Sequence, residues 1–463
     1  MFRFSLRCLL AVVSVVCIGI GLFSAHLAKQ RSFTSAKAEL YSHGVHVLGR
    51  HNDCSIHVIA YKWSPTGRVK ELLNTVGPVH RLRISADGST SDLPTLGQLD
   101  RLFSIRGLQR VELWNGRLPK ETFATLHARI PGLRELLVMD GEAAEWCDLS
   151  QLPLFHRLSH LHLEDERSAP GLPTNDSNAI VIPTMPELTS AMIAFMMPVE
   201  IHSMPNVERI EVRSGLGAGD SVGRVTLELC PNLRVLDIAV ENAGPNDCPL
   251  RTPDLLATVS SQPKLQALVL RGPLIHVGDV IRMAEMKSLE SLELNGGIEL
   301  PAVAAMALLD QVSQLELNVD VWFDSDCRDV ISASSETDDD ISDSATAVNW
   351  GVLVGCRNLK SLELSVSDET ADSFLWLHEM RQLNTLDISG SSIASQHFRK
   401  IALSDLGDLS HFAFLDELVV AEIDVDEAVL RDALPNTKVS AASGVKTMSH
   451  RVGRQNDVPP KSE

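Results

Sequence analysis

Residues 288–300 read SLESLELNGGIEL, and residues 264–275, one interval upstream, read KLQALVLRGPLI with apolar side chains at the same places. The shared core is six residues long, apolar at its first, fourth and sixth positions. The same pattern recurs at VHRLRI (79–84), LQRVEL (108–113), LRELLV (133–138), LSHLHL (158–163), LTSAMI (188–193), VERIEV (207–212) and LRVLDI (233–238). It continues at LQALVL (265–270), LESLEL (289–294), VSQLEL (312–317), LKSLEL (359–364), LNTLDI (383–388) and LDELVV (415–420), which makes thirteen copies.

Successive side chains of a strand alternate between its two faces, so the fourth and sixth positions share one face and the third and fifth share the other. One face is core. No single copy can bury its leucines alone, whereas copies stacked in parallel bury them against the segments that return between strands. Some of those segments have helical spacing, as in PAVAAMALLDQVS from Pro301, where proline suits a first helical position. Most starts lie about 23–32 residues apart, the period of a stacked repeat. The step from 188 to 207 is short, and the step from 312 to 359 is about twice the usual length.

Thirteen such copies resemble leucine-rich-repeat proteins over Val79 to Leu434, about three quarters of the chain. The chain departs from that family in lacking a regular asparagine after the strand; Asn115, Asn242 and Asn295 are scattered examples. The resemblance implies an α/β leucine-rich-repeat solenoid with a parallel strand face and helical or irregular returning segments, and a protein or peptide partner lying along that face. The front of the chain, FRFSLRCLL before an apolar run and AKAELYSHGVHV after it, is similar to bacterial single-pass membrane-anchored leucine-rich-repeat proteins.

That apolar run, residues 8–28, holds no acidic or basic side chain apart from His26, and roughly 20 such residues span a bilayer core as a helix. Signal cleavage is poorly supported, because Phe23 and His26 stand where small residues are wanted. Val16 before Cys17 argues against lipid attachment. The expected organisation is a transmembrane anchor over 1–28, a membrane-proximal cap over 29–78, and repeats over 79–323. An acidic, flexible insertion over 324–350, repeats over 351–438 and a disordered tail over 439–463 complete it. Arg3 and Arg7 ahead of the run favour an extracytoplasmic body.

The net charge is −19, which sets the chain against nucleic acid and anionic lipid and towards cationic proteins, metal ions or neutral polymers as partners. Aromatic residues are 5%, as a repeat built on leucine and valine requires. The eight cysteines include no CxxC, so zinc-ribbon and thioredoxin chemistry are unsupported. Cys230 with Cys248, or Cys327 with Cys356, could pair outside the cytoplasm, but buried free thiols are the simpler reading.

No catalytic constellation emerges, and no metal or cofactor is implied. GDSV at 219–222 and DLSH at 408–411 resemble the nucleophile and late histidine blocks of a family of ester hydrolases, but they sit seven repeats apart. GLGAGDSVG lacks the spacing of a phosphate cradle, and the acidic stretch from Asp324 lacks the glycine and glutamate of a calcium loop. His160 and His162 point the same way from one strand, about 7 Å apart by strand geometry, and read as polar surface residues with His156.

The informative face is the fifth position. It runs Arg83, Glu112, Leu137, His162, Met192, Glu211, Asp237, Val269, Glu293, Glu316, Glu363, Asp387 and Val419, and its later half is an acidic ladder. Carboxylates stacked at strand spacing repel unless screened or met by a cation. Glu211, Asp237, Glu293, Glu316, Glu363 and Asp387 are therefore the expected contacts of a basic partner. The alternative is an envelope scaffold whose acids only maintain solubility.

Overall fold

All thirteen copies are strands in the computed structural model, which describes residues 6–50, 53–59, 67–76, 78–85, 95–114, 121–139, 149–165, 180–195, 199–215, 225–241, 256, 259–322, 348–366, 374–390, 406–421 and 427–442. The chain divides into two units, Met1–Leu233 and Arg234–Glu463.

The first unit opens with α1 (Leu6–Ser42), β1 (Val45–Arg50), β2 (Asp53–Ile59) and α2 (Gly67–Val76). It continues with β3 (Val79–Ser85), α3 (Leu96–Phe103), β4 (Arg110–Trp114), α4 (Thr122–Arg129) and β5 (Glu135–Met139). A 3₁₀ turn at Leu149–Leu154 precedes β6 (His160–Asp165), followed by β7 (Ile180–Ile182), β8 (Ser190–Phe195), β9 (Val199–Ile201), β10 (Arg209–Gly215) and β11 (Val225–Leu227). Its main sheet has the order β1-β2-β3-β4-β5-β6-β8-β10. Only β1 runs antiparallel to its neighbour.

The end of α1 caps the sheet. Ala36 and Leu40 are buried where α1 packs on α2 and β1, and Arg68 of α2 grips Glu39 with two hydrogen bonds of 2.7 and 2.8 Å. Further towards the N-terminus Ile18, Ile20, Leu22 and Phe23 are each more than 60% exposed. Among the described residues no helix is long and apolar enough to cross a membrane; of the side chains between 6 and 16 only Ser14 is described, so the first part of the expected span lies outside them.

The returning segments around the short step depart from the helical or irregular expectation. β7, β9 and β11 form a second, parallel sheet in the order β11-β9-β7. The reason is legible afterwards in three aligned stretches, IVIPTMPEL (180–188), VEIHSMPNV (199–207) and VTLELCPNL (225–233). Each has a β-branched, alternating triplet and a proline at the same distance before the next strand.

The second unit holds β12 (Val235–Glu241), β13 (Ala267–Ile275), α5 (Val277–Glu285), β14 (Ser291–Glu299), α6 (Leu300–Ala305) running into a 3₁₀ turn at Met306–Leu308, and β15 (Gln314–Trp322). After 3₁₀ turns at Trp350–Gly355, Leu375–Glu379 and Leu409–Phe412 come β16 (Ser361–Val366), β17 (Thr385–Gly390) and β18 (Glu417–Ala421), then α7 (Glu427–Ala433) and β19 (Lys438–Ala442). β12 to β19 are parallel and adjacent in sequence order. β19 carries the fold past the boundary expected at 438, because Val439 stacks in register on Leu418 and is buried.

Across the long step from 312 to 359 the flanking strands are neighbours in the sheet. β15 pairs directly with β16, Leu315 opposite Leu362, and the Lys360 amide donates to the Ser313 carbonyl at 2.7 Å. Residues 323–347 lie outside the described residues; Val348 and Trp350, within the span expected as the insertion, are buried.

The first, fourth and sixth positions form the core throughout, as Leu289, Leu292 and Leu294 do in one copy, each at most 1% exposed. Burying a leucine contributes about 1.5–3 kcal/mol. A second stitch joins the copies through the residue before the first apolar position. There the side-chain amides of Asn206, Asn232, Gln311, Asn358 and Gln382 donate to backbone carbonyls of the preceding copy at 2.7–3.2 Å.

Candidate binding face

The fifth positions stand opposite one another from strand to strand within each unit, so the row read from the sequence exists as a physical row. Its surroundings differ between the units.

In the first unit the acids are matched by cations of the same sheet. Glu112 is fully buried and is gripped by Arg81 at 2.6 and 2.9 Å and by Arg110 at 2.6 Å. Burial alone would raise its pKa, but those two hydrogen-bonded guanidinium groups outweigh it and hold the carboxyl below the usual range. Arg110 also reaches Glu135 at 2.7 Å. Glu211 is held by Arg213 at 2.9 Å, and His162 by Glu164 at 2.8 Å. Arg83 lies 3.8 Å over the Trp114 ring. The charge of Glu211, one of the six expected contacts, is thus already met within its own strand.

In the second unit the row is Asp237, Val269, Glu293, Glu316, Glu363 and Asp387. Asp237 and Asp387 are buried, and Glu293, Glu316 and Glu363 are half-buried. Strands about 4.8 Å apart leave little room for water between neighbouring side chains, and the third and seventh positions wall the row on both sides.

Arg271, at the seventh position of β13, is the residue of this face that the six-residue pattern misses. Its guanidinium meets both oxygens of Asp237 at 2.8 and 2.9 Å and Glu293 at 3.0 Å, covering the place where β13 has Val269 in the acidic row. Extending the repeat by one residue on the same face would have found it. That seventh row, Arg271, Asn295, Asn318 and Ser365, is also in register.

Burial raises the pKa of Glu293, although Arg271 opposes the rise. Glu316 has burial first, then the neighbouring charges of Glu293 and Glu363, and its carboxyl is pushed up to about 8. The row thus carries a partly suppressed negative charge that any incoming cation would restore.

The other sequence features are quiet. Cys54, Cys230 and Cys356 are buried free thiols, and burial pushes that of Cys356 up to about 12; Cys248 and Cys327 lie outside the described residues. Asp408 caps its turn by accepting from the Ser410 amide, while His411 stacks on His378 with ring centres 4.4 Å apart. The GDSV block lies outside the described residues. His160 engages the Ser159 hydroxyl at 2.9 Å. Among the described residues no group of three histidine, cysteine, aspartate or glutamate side chains is disposed to hold a metal ion.

No family model matches the chain, and no curated protein matches it. Among solved structures it is similar to an internalin (InlF) from Listeria monocytogenes, at 13% identity and a TM-score of 0.40, covering 85% of this chain and 87% of that one. It is also similar to TLR13 in a TLR13–ssRNA13 complex, at 14% identity and a TM-score of 0.38, covering 79% of this chain and 54% of that one.

Proposed function

We propose that the chain is a protein-interaction module that takes up a basic segment of a partner protein along the strand face of β12 to β17, and that α1 holds it to a membrane with the body outside the cytoplasm. One observation carries the binding reading. The third, fifth and seventh positions of those six strands hold five carboxylates, Asp237, Glu293, Glu316, Glu363 and Asp387, against the single basic residue Arg271. Half-buried like charges in one row destabilise the unoccupied face, and cationic groups laid along it relieve that cost. The membrane reading is supported by the exposed apolar side chains of Ile18, Ile20, Leu22 and Phe23, which a bilayer would cover.

The test is affinity capture with the full-length chain from native membranes, at low and high salt, beside the Glu293→Lys, Glu316→Lys variant. A discrete partner retained at low salt, and lost both at high salt and in the variant, is the expected result. No discrete partner under any condition would transfer the reading to an envelope scaffold. For the anchor, the full chain should resist carbonate extraction from membranes and a chain lacking residues 1–28 should not; extraction of both would exclude it.

A further inference from the structure

The acidic face contains its own example of how a cation is held. Arg271 leaves β13 at the seventh position, and its guanidinium bridges the fifth-position carboxylates of the strands on either side, Asp237 and Glu293. Two strands along, the seventh position of β15 is Asn318, and the fifth-position carboxylates of its two neighbouring strands are Glu293 and Glu363. Asn318 therefore stands to that pair as Arg271 stands to Asp237 and Glu293. The flanking seventh positions are of similar size in the two places, Ala239 and Asn295 beside Arg271, Asn295 and Ser365 beside Asn318.

Two differences make the second place acceptor-rich. Its own strand contributes Glu316 to the row where β13 contributes Val269. Asn318 shares the face of Glu316 and is 9% exposed, and its Oδ1 is buried with no hydrogen-bond partner. A buried acceptor without a donor is costly, and no donor from a basic residue is at hand, because the third, fifth and seventh positions of β14 to β17 hold no lysine or arginine.

We propose that this place seats one arginine side chain of the partner, its guanidinium donating to Glu316 and Glu363 and to Oδ1 of Asn318. The inference rests on the acidic-face reading above and narrows it to a residue type. A guanidinium suits the geometry because its five N–H donors are spread over a plane and can reach acceptors on adjacent strands, whereas an ammonium concentrates three donors at one strongly hydrated point. A divalent metal suits it less, because carboxylates in a line along the strands do not converge on one centre. The burial that raises the Glu316 pKa also makes a matched cation count for more there than at a wet surface.

The experiment uses the full-length chain in detergent and two fluorescent peptides of equal length and charge, one of alternating glycine and arginine, the other of alternating glycine and lysine, with binding read by anisotropy. The arginine peptide should bind more tightly by about tenfold, roughly the size of one hydrogen bond to a charged group. Asn318→Ala, which removes the acceptor without adding bulk, should bring the ratio of the two affinities close to one and leave the lysine peptide unchanged. Asn318→Arg should fill the seat from within, raising the melting temperature and weakening the arginine peptide to the level of the lysine peptide. Equal binding of the two peptides by the native chain would overturn the arginine seat and leave the acidic-face reading standing. Binding of neither would overturn both. A melting temperature lowered by Asn318→Arg would show that no space for a guanidinium exists there and would also overturn the seat.

Discussion

Replacing Glu316 by glutamine tests the electrostatics of the strand face without changing its shape. The carboxyl of Glu316 is pushed from 4.5 up to about 8 in the folded chain, by burial first and by Glu293, Glu363 and Asp387 next, with Arg271 opposing. A carboxyl whose folded pKa lies above its unfolded one binds its proton more tightly when folded. Its contribution to stability is therefore fully present below about pH 4.5 and is lost as pH rises through about 8. At about 1.4 kcal/mol per pH unit the whole interval amounts to roughly 5 kcal/mol, a ceiling that water penetration at a half-buried site reduces to on the order of 2–3 kcal/mol. Glutamine mimics the protonated acid, so Glu316→Gln and the native chain should have equal stability near pH 4.5, and the variant should be the more stable by that amount near pH 9. The assay is urea unfolding of both proteins followed by tryptophan fluorescence, Trp350 being buried in this unit, with the difference taken at each pH so that other titrating groups cancel. A difference that does not change with pH, or a variant less stable at pH 9, would refute the reasoning.

Three further outcomes follow from other contacts. Arg271→Met should destabilise by about 3–5 kcal/mol at pH 7, because it leaves Asp237 buried beside Glu293 without their shared cation; the loss should shrink at pH 4, which denaturation at the two pH values measures. Leu292→Ala in the core of β14 should cost about 2–5 kcal/mol in the same unfolding assay and leave the strand-face charges untouched. Asn358→Ala removes the amide that donates to the Asp310 carbonyl at 2.8 Å and should cost about 1 kcal/mol, whereas the exposed neighbour Arg357→Ala should cost within about 0.5 kcal/mol.

The repeat was legible because leucine at three of six positions leaves one arrangement that hides all three. Each of the thirteen copies is a strand, and the fifth positions meet in the order in which they were read. What escaped the reading was set by neighbours in space. The burial of Asp237 and Asp387 follows from the rows on either side of them, which a linear count of exposed positions leaves out. Arg271 lies beyond the six-residue window, and the bridge it makes joins residues 34 and 22 positions away. The triplets of β7, β9 and β11 are too short to signal strands singly and do so only when their three stretches are aligned. The structural asparagines were sought after the strand, whereas Asn206, Asn232 and Asn358 stand just before it, where a side-chain amide can reach the turn of the previous copy.

The most direct test of the binding claim places a photocrosslinking residue at Gln314 on the strand face, beside Glu316, and in a second protein at Leu308, which is exposed in the returning segment. Illumination in native membranes at low salt should give an adduct from Gln314 alone, with the crosslink mapping to a basic segment of one partner and disappearing at high salt. Adducts of equal yield from both positions, or none from Gln314 at low salt, would contradict the account.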